Sequence, residues 1–167
     1  MGTVRNLVVV SDSHCGCRLG LCPPESVRLD DGGTYHASPF QKNVWGLWRE
    51  FWGSWVPSVV KREPWDLVHN GDVIDGVHHN STTQISHNIH DQLLIAQTAL
   101  RPIVAACCKS GGTYYHIRGT EAHVGSSANY EEMLATALGA APNREHQYAR
   151  YDLWKRVGRA LVHLLHH

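Results

Sequence analysis

The chain has 167 residues, long enough for one domain with a real core, and no linker or composition shift divides it. Its 15 basic and 15 acidic residues give a formal net charge of +0, which excludes the strong electrostatic footprint of a nucleic-acid or membrane-surface binder. No apolar stretch approaches the roughly 18 residues of a membrane span, and Met1 to Val10 lacks the order of a signal peptide, so a cytoplasmic chain with no membrane partner is the expectation.

In chain order, Val4 to Val10 is a β-branched run stopped by SDSHCG, which predicts a buried strand opening into a loop. Cys15 to Gln41 carries Gly, Pro, Ser and Asp without periodicity and reads as a long loop, of the kind that tends to be functional in compact domains. The five cysteines form no disulfide framework, and Cys15, Cys17 and Cys22 lack the partner pair that a zinc site needs, so reduced thiols are expected ahead of a zinc-structured module. Trp45, Trp48, Trp52 and Trp55 fall on one helical face between Asn43 and Val60, predicted to pack on a sheet rather than to stack bases or sugars.

A second strand, Trp65 to His69, runs into NGDVIDGVHH. After a polar loop, Asp91 is the expected cap of a helix from Gln92 towards Cys108, with a kink or break at Pro102. Tyr114 to Arg118 predicts a third strand ending in Gly119, and Ser126 to Ala140 a short helix capped by Ser127 or Asn129. RYDLWKRVGRALVHLLHH then alternates around Val157-Gly158 as a hairpin does. Strand and helix in alternation predict an α/β fold with a parallel, layered core and an antiparallel hairpin at its C-terminal end.

In such sheets ligands collect at the carboxyl ends of the strands. Strand one ends in Asp12-Ser13-His14, strand two in Gly71-Asp72 followed by Asp75, strand three in Gly119-Thr120-Glu121-Ala122-His123, and the last strand in His166-His167. Each group alone is ordinary loop composition. Carboxylate plus imidazole repeated at one end of successive strands, in a chain with 13 histidines, points to a metal centre. Mixed oxygen and nitrogen donors suit Mn, Fe, Zn or Co better than Ca or Mg. His78, His79, His87 and His90 lie in the loop after Asp72, each read as polar surface ahead of site lining.

VVVSDSHCG, HNGDVIDG, IRGTEAHVG and LVHLLHH resemble, in that order, the D-x-H, G-D-x-x-D, G-N-H-[DE] and isolated-His motifs of the calcineurin-like metallophosphoesterases. The resemblance implies a layered α/β/β/α sandwich that holds two divalent transition-metal ions, Mn²⁺ first among them, and hydrolyses a phosphomonoester or phosphodiester. It implies that Asp12 and His14 bind one metal, that Asp72 bridges two, and that His166 or its neighbour His167 binds the second. Asp75 would orient His123, which protonates the leaving oxygen. Thr120 stands where the family has Asn, so Glu121 is the candidate replacement ligand. The family's closing G-H-x-H motif is absent, which implies a domain lacking its C-terminal part. The expected partner is a phosphate ester, a nucleotide or nucleic acid among them, with Arg18, Arg28, Lys61 and Arg62 as local basic contacts. The alternative from another class is a non-catalytic metal-binding or structural module with the same fold.

Overall fold

The computed structural model describes residues 6–78, 80–124 and 129–167. Four strands, β1 (Asn6–Val10), β4 (Trp65–Asn70), β5 (Tyr114–Ile117) and β6 (Ala149–Arg150), form one parallel sheet in the order β1-β4-β5-β6. β2 (Val27–Arg28) and β3 (Thr34–Tyr35) make a small antiparallel pair, so the long early loop contains structure of its own. β7 (Asp152–Val157) and β8 (Ala160–Leu165) form the C-terminal hairpin that the alternation predicts, turning at Gly158-Arg159, one residue beyond the expected Val157-Gly158. β6 is a strand that alternation did not reveal, because two residues are too few to carry a period. Residues Val4 and Arg5 of the first expected strand, and the proposed cap Ser127, lie outside the described residues.

Successive side chains of a strand point to opposite faces, and the sheet uses this to bury both. Val8, Leu67 and Tyr114 face a core built with α2 (Val56–Val60), α3 (Ile89–Lys109) and α5 (Asn129–Leu138). Leu7, Val68, Tyr115 and Ile117 face the hairpin, where Leu153 and Leu164 cover them. Helices therefore lie on one side of the parallel sheet and the hairpin on the other. Among the described residues no helix is long and apolar enough to cross a membrane.

The helices differ from expectation in instructive ways. α1 (Pro39–Glu50) starts in a capping box, Ser38 with Gln41, and the buried Gln41 amide also donates to the Cys17 carbonyl at 3.1 Å, tethering the early loop. A π-helical turn, Phe51–Trp55, follows before α2. Its wider turn rotates the stripe, so Trp45, Trp48 and Trp52 pack on the core while Trp55 is 54 % exposed; the four do not share one buried face.

α3 is capped by Asn88, whose side chain accepts from His90 N, and not by Asp91. Asp91 instead accepts the Asp30 backbone N–H at 2.9 Å, a long-range partner invisible to local spacing. Pro102 does not end α3, because buried residues on both sides of it, Ala99 and Leu100 before and Val104 and Cys107 after, hold the helix on the sheet. The short α4 (Glu121–Val124) links β5 to the region before α5.

Candidate metal centre

Two strand-end loops make the floor of the site. The loops after β1 and β4 run on as an irregular pair, with Asp12 N donating to Gly71 O at 3.1 Å, His14 N to Asp72 O at 3.0 Å and Cys15 N to Val73 O at 2.8 Å. Along this pair Asp12, His14 and Asp72 all adopt positive φ, 54°, 41° and 52°, a region that non-glycine residues enter at a cost. The paired backbone overrides that cost and turns the three side chains toward one another. Gly71, at φ 80°, has a second constraint: a Cβ there would overlap the His166 ring.

Asp72 is the centre. It is 4 % exposed, with Oδ1 accepting from the Thr120 backbone N–H at 2.8 Å and from its hydroxyl at 3.3 Å. Oδ2 lies 3.1 Å from His166 Nε2 and 3.7 Å from His123 Nε2. His166 reaches this position because Asn70 Nδ2 donates to Leu165 O at 3.1 Å, fastening the end of β8 to the end of β4.

Asp75, 5 % exposed, gathers a second layer of imidazoles. Its Oδ1 is 3.4 Å from His14 Nδ1, 3.8 Å from His78 Nε2 and 3.9 Å from His123 Nδ1, while Gln84 Nε2 donates to Oδ2 at 2.7 Å. The close hydrogen bond from Asp75 to His123 is made by its backbone carbonyl, which accepts from Nδ1 at 2.6 Å. That bond places the ring proton on Nδ1 and leaves Nε2 facing Asp72. The rings of His14 and His78 meet His123 edge-on, with centroids 4.6 and 4.4 Å away.

Among the described residues, three sets of side chains have ligand atoms mutually within 4.8 Å: His14, Asp72 and His123; Asp12, Asp72 and His166; and Asp75, His78 and His123. Carboxylate oxygens and imidazole nitrogens this close can hold a metal ion, and the donor set fits a divalent transition metal. The first two sets share Asp72. They divide the ligands differently from the family pattern, since Asp12 groups with His166 and His14 with His123.

Other expected residues stay apart. Glu121 is exposed at the start of α4 and enters none of the three sets; Thr120, through backbone and hydroxyl, is what contacts Asp72. His167, one residue beyond His166, is exposed, as are His87 and His90. His79 lies outside the described residues. Cys15, Cys17 and Cys22 are buried free thiols in none of the three sets, and burial pushes Cys22 up to about 11 and Cys15 higher still, which disfavours the thiolate a zinc ligand must be.

Beneath the centre lies a polar layer that local spacing did not flag. His69 and His116, opposite each other on β4 and β5 and both 0 % exposed, stack with centroids 6.0 Å apart. His69 Nε2 is 2.7 Å from the hydroxyl of Ser13, between Asp12 and His14, and His116 Nδ1 is 2.7 Å from Tyr114 OH. Burial, reinforced by His116, His166 and His14, holds His69 well below the usual histidine range, so it is neutral. Glu131 is the other missed residue, although its place with Leu134, Ala135 and Leu138 at helical spacing put a carboxylate on the buried stripe of α5. Comparison of the chain with family models, with curated proteins and with solved structures returned no match in any of the three.

Proposed function

We propose that this chain is a metal-dependent phosphoric ester hydrolase of the calcineurin-like metallophosphoesterase type, with its helices, parallel sheet and hairpin belonging to a layered α/β/β/α sandwich. The observation that carries the reading is the sharing of one buried carboxylate, Asp72, by two ligand sets. A carboxylate so placed suits a pair of cations, since repulsion between two ions is offset by an anion between them.

His14, Asp72 and His123 would hold one ion, and Asp12, Asp72 and His166 the other, Mn²⁺ being preferred and Fe, Zn or Co accepted. Two divalent cations there supply Lewis acidity, lowering the pKa of water and neutralising charge on a phosphoryl group. The chain's own residues do the rest. Thr120 holds Asp72 Oδ1, so that Oδ2 stays turned to the histidines. His123, its Nδ1–H engaged by the Asp75 carbonyl, presents Nε2 toward Asp72 as the ligand atom for the first ion, a role that takes the place of the proton donation the resemblance implies. Asp75 acts on His14 and His123 together, orienting one ring by its carboxylate and the other by its main chain.

The test is hydrolysis of bis(p-nitrophenyl) phosphate and p-nitrophenyl phosphate with added Mn²⁺, for wild type and Asp72→Asn in parallel. Turnover that needs Mn²⁺ and falls at least a hundredfold in the variant is expected, and the faster substrate names the ester class. Wild type that binds Mn²⁺ but turns over neither ester overturns the enzyme reading in favour of a metal-binding module.

A further inference from the structure

Glu131 sits in the first turn of α5 and is 0 % exposed. An ionised carboxylate in such a place is costly to desolvate unless its oxygens are bonded. Among the described residues no lysine or arginine pairs with it; the nearest cationic candidate is His116, whose Nε2 is 3.6 Å from Oε2. Its hydrogen bonds come from the main chain. Oε1 accepts from Val73 N at 3.2 Å and Oε2 from Gly119 N at 2.6 Å.

Those two amides bracket the Asp72 carboxylate. Val73 is the residue after Asp72, and Gly119 precedes Thr120, which donates to Asp72 Oδ1. Gly119 lies so close that a Cβ on it would overlap both Oδ1 and the backbone of Asp72. One buried carboxylate thus clips the loop after β4 to the loop after β5 at the point where Asp72 passes between them.

We infer that Glu131 is the positioning residue of the cation centre: by holding Val73 and Gly119 it sets the Asp72 carboxylate with Oδ1 toward Thr120 and Oδ2 toward His166 and His123. The inference rests on Asp72 being the shared ligand. Glu131 touches no ion or substrate itself. Its effect is on how well Asp72 is preorganised, and loss of such a partner weakens metal affinity by roughly 10–100-fold.

The experiment is titration of the full chain with Mn²⁺, followed by electron paramagnetic resonance of the free ion, beside thermal melts of the same samples. Glu131→Gln keeps the volume but turns an amide nitrogen, a donor, toward one of two donors. Glu131→Asp keeps the charge and draws the oxygens back by one methylene. Leu138→Ala, on the same helix and buried, destabilises without removing a hydrogen bond to either loop, since leucine's side chain makes none.

Below the melting temperature of every variant, Glu131→Gln is expected to bind Mn²⁺ at least tenfold more weakly than wild type. Leu138→Ala melts lower but binds within about twofold of wild type, as expected for a residue about two helical turns beyond Glu131. Wild-type affinity in Glu131→Gln, or affinity that falls with melting temperature in Leu138→Ala as well, overturns the inference. Should Glu131→Gln fail to fold, Glu131→Asp is read instead: weaker binding supports the role and wild-type affinity overturns it. Wild type that does not bind Mn²⁺ removes the centre itself and this inference with it, an outcome distinct from a binding wild type with an unaffected variant.

Discussion

At the scale of single residues, the centre depends on close approach as much as on ligand identity. Asp72 is ringed by Thr120, His123 and His166 within hydrogen-bonding or ion-pair distance, and the space for that ring exists because Gly71 and Gly119 have no side chain. Gly119 is the more informative of the two, because it has no left-handed strain to confuse the result; its only demand is room beside Asp72. Gly119→Ala is therefore expected to push the Asp72 carboxylate away and abolish Mn²⁺ binding, while the thermal transition stays cooperative. Calorimetric titration checks this, and wild-type affinity in Gly119→Ala would show that the loop yields freely. Asp12, His14 and Asp72 carry the complementary feature, backbone strain at about 1–3 kcal/mol each, tolerated where the surrounding structure over-determines it.

At the scale of elements, the C-terminal hairpin contributes His166 but belongs to the other side of the sheet from the helices. Leu153 and Leu164, the hydrogen bond from Asn70 to Leu165 O and an ion pair are among the contacts that hold it there. Lys155 Nζ is 2.6 Å from Asp66 Oδ2 and donates to Tyr115 OH at 2.7 Å, and Asp66 also accepts from Thr113 N. Burial alone would lower the Lys155 ammonium, yet the bonds to Asp66 and Tyr115 outweigh it and hold it above the usual lysine value. Lys155→Met leaves Asp66, 1 % exposed, without its counter-charge, and such a break costs about 3 kcal/mol. Denaturant unfolding is expected to show that loss, together with weaker Mn²⁺ binding because His166 rides on the loosened hairpin. Unchanged stability would mean that Asp66 is protonated or rehydrated in the variant.

At the scale of the molecule, the sheet buries a polar layer under the centre, and this ties stability to pH. His69 is neutral when folded, its pKa held well below the ordinary value near 6.5. Above about pH 6.5 neither state binds the proton and the group is silent; below it the unfolded chain takes up a proton that folded His69 refuses. Stability is thus expected to fall with acidification by up to about 1.4 kcal/mol per pH unit from this residue. Thermal melts between pH 7.5 and 5 check it: the decline should be shallower in His69→Gln, which keeps a polar partner for Ser13 and cannot titrate there. An equal decline in both would assign the effect elsewhere.

The β-branched run before Asp12, the apolar run before Asp72, the run from Tyr114 and the alternation around Gly158 determined three of the strands and the hairpin, because period and turn chemistry are local properties. The recurrence of Asp and His after those strands likewise singled out Asp12, His14, Asp72, Asp75, His123 and His166, the residues the fold brings together. Only the tertiary structure decided how they pair, that Thr120 rather than Glu121 meets Asp72, and that His166 rather than His167 turns inward. It alone showed Asn88 capping α3, Trp55 rotated outward and Glu131 clipping two loops together. For Thr120, His166 and Glu131 the physical reason is the same: contacts between residues distant in the chain, and the close approach a missing Cβ permits, leave no period in the sequence; the Asn88 cap and the turn at Trp55 are local choices that the spacing of apolar residues leaves open.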